Sequence, residues 1–86
     1  MMHSRDEVIA LVQATFPEES WGHVLELLDS YGVKSYERER ERVQLDILKL
    51  SVGSEEKVRE YVAVAKRDYR DVLFWAEYPE ESIGHA

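Results

Sequence analysis

The sequence has 86 residues, no cysteine, and 18 acidic against 11 basic side chains, giving a formal charge of −7. That charge repels phosphate backbones and anionic lipid, which argues against general nucleic-acid or membrane binding, while the lack of cysteine excludes disulfide staples and thiol nucleophiles. A hydrophobic content of 44% is too high for a disordered chain, and four glycines with two prolines leave little punctuation for a many-turned β fold.

Surface scaling gives roughly 5,300 Å² for the folded chain against roughly 14,600 Å² extended, enough to bury one modest core. The expectation is therefore an all-α, single-domain bundle of about four helices over residues 1–86. The opening segment Met-Met-His-Ser-Arg-Asp-Glu turns at once into charge, and no apolar run approaches the roughly 18 residues of a membrane span. A cytoplasmic location is expected.

Ser4 and Glu7 have capping-box spacing, in which each side chain satisfies the other's free backbone amide. The first helix is predicted over 5–15, its apolar positions Val8, Leu11 and Val12 recurring at helical spacing and Pro17 forcing Phe16 out of helical angles. Pro17 suits the opening of a second helix over 18–31, where Glu18 and Glu19 favour the dipole and Trp21, Val24, Leu25, Leu28 and Tyr31 form the stripe. Gly32 stands where a left-handed residue would close it.

Ser35 is a candidate cap for a third helix over 36–52. The run Glu37 to Arg42 alternates charge with period two, yet on a helix it forms the i,i+3 pairs Glu37–Arg40, Arg38–Glu41 and Glu39–Arg42. From Val43 the stripe widens through Leu45, Ile47, Leu48 and Leu50, which predicts a helix buried on more than one side. Ser54 caps a fourth helix over 55–77, the longest. Val58, Val62, Ala65, Tyr69, Val72 and Ala76 follow at steps of four and three, a heptad seam for antiparallel packing or coiled-coil pairing. Residues 79–86 read as a tail.

Few residues suggest chemistry. Glu19, His23 and Glu26 share one side of the second helix and offer two carboxylates and an imidazole to a divalent metal, although the Glu-x-x-His pattern of di-iron bundles is missing. No nucleophile elbow or phosphate-cradling glycine loop is present, the serines at 4, 35 and 54 are better used as caps, and neither catalytic residues nor a cofactor are expected. Lys66, Arg67 and Arg70 form a basic cluster interrupted by Asp68 and Asp71, with intrahelical pairs such as Arg67–Asp71 favoured over phosphate contact. Phe74 falls opposite the seam, with Tyr78 one turn on and Trp75 on the flank. Either the tail or the first helix covers them, or they form a contact surface for another chain.

The stretch Glu39 to Glu80, above all Lys66-Arg67-Asp68-Tyr69-Arg70-Asp71-Val72-Leu73-Phe74-Trp75-Ala76-Glu77-Tyr78-Pro79, resembles a group of short bacterial helical proteins with no assigned activity. The resemblance covers about half the chain and implies a bacterial cytosolic protein whose signature lies at Arg67 to Pro79. The functional expectation is a non-catalytic module binding a protein partner or its own copy through Asp68, Arg70, Asp71, Phe74, Trp75 and Tyr78. The alternative is a metal- or small-molecule-binding protein using Glu19, His23 and Glu26.

Overall fold

The computed structural model describes residues 3–79, and over them the chain forms five α-helices and no strand. α1 spans Arg5–Thr15 and opens on the capping box: Glu7 N–H donates to Ser4 Oγ at 3.3 Å, and Ser4 N–H to the Glu7 carboxylate at 3.0 Å. The helix ends where Phe16 turns extended ahead of Pro17. Trp21 locks that corner by donating its indole N–H to the Phe16 carbonyl at 2.8 Å.

α2 spans Glu18–Asp29. Arg5 reaches across from the start of α1 to Asp29 at its end, with both guanidinium nitrogens on the carboxylate at 2.5 and 2.7 Å, so the two helices pair antiparallel.

α3 spans Arg40–Ser51, four residues later than the expected start. The displaced segment is held by Glu37, whose Oε1 accepts the amides of Gly32, Val33 and Lys34 at 2.9, 3.0 and 3.1 Å. Those three amide bonds compete with the helical pairing that the alternating charges suggested. Of the three expected ion pairs only Glu39–Arg42 forms, at 3.0 Å. Glu37 and Arg38 lie before the helix, and Ser35 caps nothing.

The rest of α3 is the centre of the molecule, packed against α1 and against the helices that follow it, and seven of its residues are buried. Three of them are polar: Ser51 bonds back to the Ile47 carbonyl within the helix at 2.7 Å, and the other two face different neighbours. Gln44 donates to the carbonyls of Leu28 and Tyr31 at the end of α2, at 2.8 and 3.4 Å, while Asp46 lies beside Glu77 near the C-terminus.

The expected long helix over 55–77 is two helices. α4 spans Glu55–Arg67, capped by Ser54, and α5 spans Tyr69–Glu77, with Asp68 extended between them at φ −159°, ψ 100°. The seam residues do face inward, and Val58, Val62, Ala65 and Val72 are buried. The break lets α5 turn and pack on both α3 and α4, covering core that a straight helix would run past. A radius of gyration of 12.0 Å matches the roughly 12 Å of a compact chain of this length. From residue 80 onward the predicted tail, with His85, lies outside the described residues. Among the described residues no helix is long and apolar enough to cross a membrane.

Candidate functional site: α5 and its junction with α4

Asp68 makes the junction. Its amide closes α4 on the Val64 carbonyl at 2.9 Å, its carbonyl accepts the Asp71 amide at 3.2 Å, and its Oδ1 accepts the Arg70 amide at 3.1 Å. The same carboxylate grips the Arg70 guanidinium, Nε on Oδ1 at 3.0 Å and Nη2 on Oδ2 at 3.1 Å. These bonds hold the Asp68 carboxyl below its usual range and raise the Arg70 guanidinium. The expected Arg67–Asp71 pair is replaced, because Arg67 ends one helix and Asp71 sits in the first turn of the next. Lys66 and Arg67 thus meet the negative end of the α4 dipole, and Asp68 and Asp71 the positive end of α5.

Along α5 the three aromatic residues separate. Phe74 and Tyr78, one turn apart, stack on each other with ring centres 6.0 Å apart, and they remain 42% and 56% exposed. Trp75 turns inward, edge-on to Tyr61 of α4 at 6.2 Å, and is half-buried. It fastens α5 to α4, while Phe74 and Tyr78 face outward.

The inner side of α5 carries a cluster that sequence reasoning missed. Glu77 accepts both Nε and Nη2 of Arg42, Nε at 2.8 Å, a forked pair joining the end of α5 to the start of α3. Asp46, one turn along α3 and only 2% exposed, lies next to it. Burial first, and then a hydrogen bond shared with Glu77, push the Asp46 carboxyl up to about 7. The bond to Arg42, and then that to Asp46, hold Glu77 well below the usual carboxylate range. Asp46 Oδ2 is buried and makes no hydrogen bond among the described residues, so burial there weighs against the charged form. The sequence signal was faint: an Asp in the middle of the Val43–Leu48 apolar run.

On α2, His23 Nδ1 lies 2.9 Å from Glu55 Oε2 at the start of α4, a contact bridging two helices. Glu19 and Glu26 are not drawn into it. Among the described residues no group of three or more His, Asp or Glu side chains is arranged to hold a metal ion.

Fold and site together define a small all-α protein in which, among the described residues, the last helix is pinned inward by Trp75 and Glu77 and exposes Phe74 and Tyr78 on its other side. In comparisons with known proteins, no family model, no curated protein and no solved structure matches the chain.

Proposed function

We propose that this protein is a non-catalytic interaction module that binds another protein through the outer face of α5. One observation carries the reading: a stacked Phe74–Tyr78 pair stands exposed on a helix whose other side is already anchored. Aromatic side chains of this kind supply large contact area at small entropic cost and are enriched in the anchors of protein interfaces. Asp71, in the first turn of the same helix, is exposed and has no ion pair among the described residues. The complementary partner therefore brings an apolar surface edged by a cation. A second copy of this chain fits less well, since two molecules of formal charge −7 repel.

The test is affinity capture with the wild-type chain and with Phe74→Glu/Tyr78→Glu. Both sites are exposed, so each substitution should change stability by no more than about 0.5 kcal/mol. The wild type is expected to retain a defined partner that the double variant, unchanged in circular dichroism, releases. Capture of the same proteins by both would refute the reading. Sedimentation at micromolar concentration should show a monomer in each case.

A further inference from the structure

A second feature of the α4–α5 junction is independent of the aromatic face. Between this corner and the loop joining α2 to α3 lies a cavity of about 270 Å³, walled by Tyr36, Lys66, Arg67, Asp68, Tyr69 and Arg70. It holds three cations against one carboxylate, a local charge of +2 in a protein of −7. Elsewhere Arg5, Arg40, Arg42, Lys49 and Lys57 are each spent on a carboxylate, and the other cations without a pair among the described residues, Lys34, Arg38 and Arg59, do not line this cavity. Lys66 and Arg67 have no such pair among the described residues, although Lys66 lies within the field of Glu37.

The backbone behind both walls is braced within the chain. Asp68 sets the corner through its bonds to Arg70. The loop bearing Tyr36 is held by the three amides on Glu37 and by Tyr31, whose buried hydroxyl donates to the Arg38 carbonyl at 2.7 Å. A braced backbone spares a ligand part of the ordering cost that otherwise weakens binding, leaving the lining side chains to be ordered by the ligand.

We propose that this cavity binds the phosphate group of a small phosphate monoester. The volume falls just under the roughly 300–1,000 Å³ of drug-sized sites, which suits a compact ligand. A monoester carries a charge of about −1.5 to −2 and three acceptor oxygens, matching the local +2, whereas a monocarboxylate carries half that charge. Lys66 and Arg67 supply the unpaired charged donors, Arg70 adds only what its fork on Asp68 leaves free, and Tyr36 and Tyr69 flank the ester's organic part. Recognition rests on these side chains, because the Arg70 and Asp71 amides at the start of α5 already serve Asp68 and the C-terminal dipole of α4 opposes an anion.

The test is an amide NMR titration of the full chain with phenyl phosphate at constant ionic strength, beside inorganic phosphate and benzoate. Saturable shifts are expected at residue 36 and over 65–70, with a Kd below about 1 mM that rises with salt. Inorganic phosphate and benzoate should each bind several-fold more weakly. Lys66→Gln/Arg67→Gln should weaken phenyl phosphate about tenfold or more, the scale of one lost charge-assisted hydrogen bond. Arg59→Gln, which removes an exposed cation elsewhere on α4, should leave it within about twofold, as expected where long-range charge is screened. Shifts that do not saturate by about 10 mM, equal weakening by Arg59→Gln, or parity with either inorganic phosphate or benzoate would each overturn the proposal. Because Phe74 and Tyr78 are untouched, the outcome stands apart from that for the α5 face.

Discussion

Val52 holds a left-handed backbone, φ 49° and ψ 46°, although its side chain is β-branched and 85% exposed. Gly53 follows at φ 79°, so two consecutive residues carry the turn from α3 into α4, and only the second is of the type that tolerates it. A left-handed L-residue costs about 1–2 kcal/mol, and Val52 recovers little of that through packing. Val52→Gly is therefore expected to raise stability by about 1 kcal/mol, after allowance for glycine's greater freedom in the unfolded chain. Val52→Ala, which keeps a Cβ, should gain less. Urea denaturation of the three proteins checks this, and a destabilised glycine variant would mean that Val52 makes contacts its exposure conceals. Glu37 teaches a similar lesson at residue level. In a run of alternating charges nothing distinguishes it from Glu39 or Glu41, yet it alone folds back onto three amides, because Gly32 at φ 101° turns the preceding backbone toward it.

The elements show which sequence signals are local enough to read. α1 was legible because its capping box, stripe and terminating Phe16-Pro17 all lie within its own residues, and the burial of α3 followed from the width of its apolar run. The break at Asp68 was not, because the heptad seam passes straight across it: Ala65, Tyr69 and Val72 keep register whether the helix is continuous or bent. The overlooked signal was charge order, Lys66-Arg67 then Asp68-x-x-Asp71, which suits one helix ending and another beginning. The α5 site was legible as a segment, since Phe74 and Tyr78 stood off the seam, but Trp75 and Glu77 could be assigned inward only once α5 was known to turn against α3 and α4. A substitution separates the two geometries by sign. In a continuous helix Asp68→Ala would stabilise, alanine being the better helix former. In the observed structure it removes the cap of α5, so the melting temperature should fall, and a rise would mean the helix is unbroken.

For the whole molecule, the Arg42–Glu77–Asp46 cluster ties the end of α5 to the central helix and sets how stability responds to pH. The folded Asp46 carboxyl titrates near 7 rather than its ordinary 3.8, so between those values the folded protein holds a proton that the unfolded chain has released. Stability from this group is complete below about pH 4 and is lost as pH rises toward 7. Glu77 acts in the opposite sense: lowered by Arg42, its contribution is present above its ordinary 4.5 and is lost as the solution becomes more acidic. The groups facing Asp46 are Glu77 from α5 and Arg42 and Lys49 from α3, and the two cations only partly offset its burial beside an anion. Together the two carboxyls place maximum stability near pH 4–5, where a chain of pI about 4.9 also has least self-repulsion. Net charge and cluster thus predict the same direction, and Asp46→Asn divides them, because asparagine copies the protonated carboxyl at every pH. Urea unfolding at pH 5 and pH 8 should show the wild type weakened at the higher pH by on the order of 2 kcal/mol. The asparagine variant should lose less than half as much, the remainder being the repulsion of the net charge. An undiminished slope in that variant would mean that Asp46 is already ionised in the folded protein at pH 5, and that α3 and α5 are held together by Arg42 and Glu77 without a shared proton.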